Sequence, residues 1–298
     1  QIKRGMEGII MIDLHTHTKY SDGTWDVQKL LQEAEKNNVE LLAITDHDTV
    51  KAHLELEKLD YSKYYTGKIV PGAEFNCVFN NAKIELLGYN FDVHKMDEWI
   101  EKTYSFEKKK PNLMEEFNLL MNACHKNNIK VDDIDYKEDM GWPIDYIFES
   151  IKKYPENEKY FSNKEWNDID HFFRCCTCNT DFPLYIDFSY QTPNAQLVSD
   201  EIRKLGGKVF LAHLFTYPLR DYESYLDSLV QENIIDGIET YYSKFTDKEI
   251  NFVENYCRKN NLYMSAGTDC HGDKKPDRKV GIGYGNMNVS IKVVENWI

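Results

Sequence analysis

Positive charge is what this chain has least of. Its 298 residues include 36 Lys and Arg against 50 Asp and Glu, for a formal net charge of −14. That balance argues against a long nucleic-acid partner, which needs a cationic surface, but not against a small phosphorylated substrate held by local charge or metal. Long apolar runs are missing too. None approaches the ~20 residues that a membrane helix requires, so no membrane partner is expected. The opening QIKRGMEGII is too short and too polar to read as a signal peptide. The 7 cysteines are an odd number without the density of a disulfide scaffold, and reduced thiols in a cytoplasmic protein are the plain reading. There is no G-x-G-x-x-G, no phosphate-binding G-x4-G-K-[ST] and no G-x-S-x-G elbow, so nothing points to a nucleotide cofactor or to covalent serine hydrolysis. GIGYG at 281–285 lacks the helix that a phosphate loop would lead into. No internal repeat or low-complexity tract interrupts the chain.

What is present has a rhythm. GIIMIDL reads as a buried strand, and Thr24 or Asp26 can cap a helix through VQKLLQEAEKNN, where Val27, Leu30, Leu31 and Ala34 fall at helical spacing. VELLAIT is a strand apolar on both faces, Thr49 opens a second helix, and KIVPGAEF and IELLGYN are further strands. The alternation predicts an α/β fold with a mainly parallel sheet. It returns after Pro193: a helix to Leu205 stopped by Gly206-Gly207, then KVFLAH, DYESYLDSLVQEN, DGIETYY, TDKEINFVENYCRKNN and LYMSAGTDCHG. Residues 9–94 plus 193–298 thus read as one scaffold, and 95–192 as a mostly helical insertion.

Only 9 histidines occur, so their placing is informative. His15 and His17 end the first strand with Asp22 just beyond. Asp46, His47 and Asp48 end the second and Glu74 the third, while Glu85 sits inside the fourth. His213, Glu239, Asp269 and His271 end the late strands. In a parallel α/β array the carboxyl ends of the strands share one side, where ligand sites form. The i,i+2 pairs His15/His17 and Asp269/His271 can each point to one face. Zinc, manganese and iron accept such a mixture of imidazole and carboxylate. One of Asp46 and Asp48 can orient a histidine instead of binding metal, and Glu239 can be no more than a polar strand end. His171 near Cys175, Cys176 and Cys178 lacks the second half of a zinc knot and reads as a partly buried free-thiol patch. His53, His94 and His125 read as solvated, and Lys108 to Lys110 as a solvated helix face.

In its motifs the chain resembles the polymerase and histidinol phosphatase (PHP) family. The resemblance rests on IDLHTHTKYSDG at 12–23, AITDHDT at 43–49, PGAEF at 71–75, ELLGY at 85–89, VFLAH at 209–213 and GTDCHG at 267–272. It implies a distorted seven-stranded (β/α)7 barrel with a helical insertion and two or three divalent cations (Zn, Mn or Fe) at the rim. Carried over residue by residue, His15, His17, Glu74 and Asp269 would hold one cation, with Glu74 able to bridge to a second held by Asp22, His47 and His271. His213 would be a ligand or a phosphate contact. The family commonly has histidine where Glu85 stands. Its insertion often carries Gly-Arg-Pro-His, whose nearest match here is Gly141-Trp142-Pro143-Ile144, and its Ala-His-Pro is Ala-His-Leu at 212–214.

The activity so implied is phosphoesterase: hydrolysis of a nucleotide, nucleoside bisphosphate, short oligonucleotide or sugar phosphate by hydroxide held between two cations ~3.5–4 Å apart. Asp269 or Asp22 would orient that water, and His213 would contact phosphate or protonate the leaving oxygen. By position, Lys19 and Arg220 could add charge, and Trp142, Tyr20 and Tyr241 an apolar wall. Two other readings keep the metals. One is hydrolysis of a non-phosphate bond; the other is a non-catalytic regulatory or interaction protein.

Overall fold

The computed structural model describes residues 11–104, 106–187 and 192–298, without the side chains of 106–112 and 138. The opening QIKRGMEGII and the side chains of Lys108 to Lys110 therefore lie outside the described residues. Seven strands form one sheet in chain order: β1 (Met11–Asp13), β2 (Val39–Ile44), β3 (Lys68–Phe79), β4 (Ala82–Tyr89), β5 (Lys208–Leu211), β6 (Gly237–Tyr242) and β7 (Tyr263–Gly267). The first and last strands meet just beyond β1, where Leu14 N–H donates to Ala266 O at 2.9 Å and Asp269 N–H to His15 O at 2.8 Å. The sheet is thereby rolled into a distorted barrel.

One strand departs from the parallel expectation. β4 pairs antiparallel with both β3 and β5. Only Asn80 and Asn81 separate β3 from β4, both left-handed with φ of 50° and 64°. A two-residue hairpin of this kind cannot make the long crossover that a parallel neighbour needs. Reversal brings the first half of β4, not its end, to the rim side, and Glu85 stands in register with Asn76.

The helices follow the amphipathic pattern. α1 (Val27–Lys36) buries Val27, Leu30, Leu31 and Ala34, and Asp26 caps it by accepting from Lys29 N–H at 2.8 Å. Thr24, the other candidate cap, instead accepts from Asp273 N–H at 2.7 Å. α2 (Lys51–Leu56), α3 (Val93–Thr103), α8 (Ala195–Lys204), α9 (Tyr222–Gln231) and α10 (Asp247–Asn260) complete the outer layer, with α4 (Phe106–Lys126), α5 (Pro143–Lys152), α6 (Asn163–Asn167) and α7 (Ile169–Phe172) between α3 and α8. A π-helical turn, 173–177, follows α7 directly.

His53 is not solvated as its sequence setting suggests. It is buried, and its Nε2 lies 2.8 Å from Ile44 O and 3.0 Å from Gly72 O, tying α2 to β2 and β3. Burial pushes its pKa down. His94 and His125 are exposed, as expected.

Inside the barrel, Ile12, Leu14, Leu41, Ala43, Val70, Leu87, Tyr89, Phe210, Ala212 and Ala266 pack into one cluster with Met287, Val289, Val294 and Trp297 from the last turns of the chain. A second cluster lies between β3–β6 and α3, α8, α9 and α10, and a third under α1 and α2. The helices from α4 onward bring their own: Phe117, Leu120, Cys124, Ile147, Phe148, Ile151, Phe172, Cys176 and Leu184.

Trp297 packs at a tilt against Phe210, ring centroids 4.5 Å apart, and donates from its indole N–H to Met264 O at 2.9 Å. Trp297→Ala is expected to cost ~3–5 kcal/mol, as for a large buried aromatic, read as a lower urea midpoint with unchanged slope. The exposed Trp142→Ala should shift stability by less than ~0.5 kcal/mol. Equal effects of the two would show that the C-terminal turns do not plug the barrel.

Candidate metal centre at the barrel rim

The histidine pair lies just past β1, in extended backbone held from both sides. Thr16 donates to Ala43 O at 2.8 Å, and His17 N–H to Cys270 O at 2.9 Å. Gly267 makes this approach possible, since a Cβ there would sit 2.1 Å from His15 Cβ. The turn that returns Asp22 to the rim is fixed by Asp46. Its carboxylate accepts from Thr18 N–H and Thr18 Oγ1, each at 2.6 Å, and from Ser21 Oγ at 2.7 Å.

These supports converge on Glu74, 1% exposed. Its Oε2 lies 3.2 Å from His15 Nε2, 3.3 Å from His17 Nε2 and 3.2 Å from His47 Nδ1, and its Oε1 2.9 Å from His213 Nε2. Asp269 Oδ1 is 3.2 Å from His17 Nε2 and 3.6 Å from His15 Nε2. Asp22 Oδ1 is 3.1 Å from His271 Nε2 and 3.8 Å from both His47 Nε2 and His17 Nδ1. Donor atoms thus gather in overlapping groups: His17, Asp22, His47 and His271; His15, His17 and Asp269; His15, Glu74 and His213; and His47, Glu74 and Glu85. Such clustering is compatible with two or three divalent cations.

Several donors are aimed rather than merely near. His15 Nδ1 is 2.8 Å from Glu239 Oε1, and Glu239 Oε2 accepts from His213 N–H at 2.8 Å. His271 Nδ1 is 2.8 Å from Asp269 O. Committing Nδ1 in this way leaves the Nε2 lone pair for a cation. His15 Nε2, His17 Nε2, Asp22 Oδ1 and His47 Nδ1 are buried and make no hydrogen bond, as metal-ligand atoms would in the absence of an ion.

The orienting carboxylate is therefore Glu239, which is more than a polar strand end, and neither Asp46 nor Asp48. Asp46 holds the Thr18–Ser21 turn, and Asp48 accepts from Asn76 N–H and Nδ2 at 2.8 and 2.9 Å.

Charge within the cluster is strongly perturbed. Burial works against a charged His15 or His17, but Glu74 with Glu239, and Asp269 with Glu74, outweigh it; His15 is raised well above its ordinary range and His17 to about 9. Burial would push the Asp269 carboxyl up, yet Lys275, His271 and Arg278 hold it well below the usual carboxylate range.

Arg278 and Arg174, two of the six arginines in the chain, escape a reading by motif. Arg278, 4% exposed, donates to Asp269 Oδ2 and approaches Tyr242 Oη at 3.3 Å. Arg174, in the π-helical turn, places Nη1 2.7 Å from Glu85 Oε2 and its guanidinium over the Tyr217 ring at 5.5 Å. Lys275 Nζ is 3.5 Å from His271 Nε2. Arg174 was visible in HFFRCCTC but overshadowed there by the cysteines. Arg278 had no signal beyond following the Asp269 motif by one turn-rich segment.

The four candidate substrate contacts have other surroundings. Lys19 is exposed, Trp142 is 54% exposed at the start of α5, and Arg220 is exposed and pairs with Asp181 at 2.5 Å. Tyr241 donates to Glu254 and lines a cavity with Ile250, Met287 and Val293. Its neighbour Tyr242 faces the centre instead, donating to Asp269 Oδ2 at 2.9 Å. The cause is a bulge. Glu239 pairs with Ser265 and Tyr241 with Ala266, so Thr240 is an extra residue that reverses the alternation.

Comparison with known proteins places this geometry. The curated relatives include 5′-3′ exoribonuclease Rnm of Escherichia coli K12, 34% identical over 84 residues, and an uncharacterized protein of Methanocaldococcus jannaschii, 34% identical over 104. The matches cover 28% and 30% of this chain, and 29% and 58% of those proteins. Two solved structures share the fold at 18% identity. A protein of Bifidobacterium adolescentis, provisionally described as a metal-dependent phosphoesterase, superposes with TM-score 0.62 over 95% of this chain and 94% of its own. An amidohydrolase of Chromobacterium violaceum, determined with bound sulfate and no metal, gives 0.63 over 91% and 89%. A family model, the PHP domain, matches residues 13–166. That span holds His15, His17, Asp22, His47, Glu74 and Glu85 of the rim, and the chain belongs to the PHP domain family.

Proposed function

We propose that the chain is a metal-dependent phosphoesterase acting on a small phosphate ester. The observation that carries the reading is Glu74, a buried carboxylate within 3.3 Å of four imidazoles, whose neighbours leave coordinating lone pairs without hydrogen bonds. The donor set fits first-row divalent cations. His15, His17, Glu74 and Asp269 would hold one, and Asp22, His47 and His271 a second that shares Glu74. Bound there, the cations supply an activated water at neutral pH and neutralise phosphoryl charge.

With neutral imidazoles, the carboxylates of Asp22, Glu74, Glu85, Glu239 and Asp269 still outnumber the cationic side chains that face them, Arg174, Arg278, Lys274 and Lys275, so the rim keeps a negative balance for cations. Arg174 on Glu85 takes the part of a third cation, and of the arginine that the Trp142-Pro143-Ile144 stretch lacks. Its remaining N–H groups are available to phosphoryl oxygens.

His213 serves as a ligand rather than an acid in this reading. Thr216 Oγ1 donates its one proton to His213 O at 2.9 Å, so at 3.0 Å it accepts from His213 Nδ1, and Nε2 keeps its lone pair toward Glu74. Arg278 and Tyr242 hold Asp269 ionised and oriented. The acidic chain as a whole favours a compact substrate over a long polyanion. Because curated relatives are named 5′-3′ exoribonucleases, short 5′-phosphorylated RNA belongs among the substrates tested.

Metal-replete protein should release phosphate or nucleotide from a panel of mono-, bis- and diesters and stop on chelation. Folded, loaded protein that is silent across the panel overturns the reading, and turnover of amides alone replaces it with the non-phosphate hydrolase. His15→Ala and Asp269→Ala should abolish turnover with unchanged circular dichroism. Arg174→Ala should lower kcat/KM ~10²-fold, the scale for losing one preorganised donor to a developing oxyanion.

The centre also implies a pH signature. In metal-free protein the folded His17 pKa, about 9 against an ordinary 6.5, contributes stability that is complete below pH 6.5 and is lost as pH climbs through 9. Chelated protein should therefore lose Tm across that interval, while cation affinity rises over it because protons no longer compete. A chelated Tm that stays level or rises would contradict this.

A further inference from the structure

We propose that the helical stretch between β4 and β5 carries a second, separate metal site, in which Glu165, His171 and Cys175 hold a zinc-type cation. Their donor atoms lie within 4.8 Å of one another and all three residues are half-buried. Cys175 Sγ is 3.4 Å from His171 Nε2 and 3.7 Å from Nδ1. With zinc bond lengths of ~2.3 Å to sulfur and ~2.05 Å to nitrogen, a tetrahedral ion spans a sulfur and a nitrogen roughly 3.6 Å apart. The observed separations bracket that value.

Helical spacing makes the site. His171 and Cys175 are four apart across α7 and the π-helical turn, so they project from one face. Glu165 comes from α6, where its Oε2 accepts from Ser162 N–H at 2.5 Å in a capping box that fixes the carboxylate beside them. The neighbouring thiols do not take part. Cys176 and Cys178 are buried in the apolar cluster of these helices. The cysteine-rich HFFRCCTC therefore divides by direction, one thiol toward His171 and two into the core. Three protein donors leave the fourth position to water or to a small ligand. Binding forms a cation–thiolate bond and releases the Cys175 proton to solvent.

The adjacent positions explain what such a site would do. Asp170 and Arg174 lie on the same short segment but reach toward the barrel: Asp170 Oδ2 is 3.5 Å from Lys275 Nζ and 3.7 Å from Arg278 Nη2, and Arg174 pairs with Glu85. A cation clamping α7 and the π-helical turn to α6 fixes the segment that presents these two side chains.

Cobalt(II) reports the site without reference to catalysis. The rim donors are nitrogen and oxygen only, and Cys270, the thiol nearest to them in sequence, packs under α1 and α2. Full-length protein stripped of metal and titrated with cobalt(II) is expected to develop near-ultraviolet thiolate-to-cobalt absorption. Cys175→Ser should lose that absorption and one equivalent of zinc, while Cys178→Ser keeps both. Glu165→Gln, which leaves the thiol in place, should weaken cobalt binding at this band at least tenfold. No band in the wild-type chain, or a band that survives Cys175→Ser, overturns the proposal, whatever the outcome of the substrate panel.

Discussion

An ionised carboxylate that is 1% exposed needs compensating charge at close range, and most of the upper half of this molecule is arranged around that need at Glu74. His15, His17, His47 and His213 surround it, positioned from three strand ends, those of β1, β2 and β5. Their own orientation depends on a further layer. Glu239 holds both the His15 ring and the His213 backbone, Thr216 holds the His213 ring, and Asp269 O holds His271. Loss of one outer contact would redirect a donor atom by an ångström or more, which a metal centre does not tolerate.

The barrel bears the cost of this convergence in its backbone. Asp48, His213 and Asp269 all have positive φ, at 51°, 26° and 57°. Asn, Asp and His visit this region more readily than other residues with a side chain, and such conformations persist only where surrounding contacts over-determine them. Here they do. Asp48 N–H donates to Glu74 O, Asp269 N–H to His15 O, and the His213 carbonyl accepts from Thr216. At His213 and Asp269 this backbone sets the side chain over the barrel mouth, toward Glu74 and His17. The apolar plug around Trp297 at the other end of the barrel supplies rigidity with no chemistry to perform.

Much of the rim was legible in the sequence because one-dimensional features determine it. Several apolar strands ended in His, Asp or Glu, and parallel βα rhythm sends those ends to one side. Glu85 was picked out, but its arrival at the rim depends on a reversed strand that only the Asn80-Asn81 hairpin enforces. Tyr241 was named by position alone, yet Tyr242 is the residue that reaches the centre, because the Thr240 bulge breaks the strand alternation. His53 reads as polar and helical, and only its contacts with Ile44 O and Gly72 O show it to be an internal strut. The roles of Arg174 and Arg278 were hidden for a related reason. Long side chains act several ångströms from their own backbone, so sequence position says little about where their charge ends up.

That reach also explains a division of labour. Cation ligands on strand ends gain from the stiffness of the barrel, where each backbone position is hydrogen-bonded on two sides. On the function proposed above, a guanidinium facing substrate has a different requirement, since substrates of different size need its charge at different heights above the same centre. Placing Arg174 on a helical segment outside the barrel separates the two demands. The α6–α7 region packs on its own aromatic cluster, around Phe148, Phe161 and Phe172, and supplies none of the imidazoles around Glu74. Glu85 and Arg174 act as a unit: a carboxylate at that position recruits a guanidinium, where an imidazole would compete for a cation. The ion pair thus joins the helical segment to the rim at a carboxylate that itself lies among the donor groups.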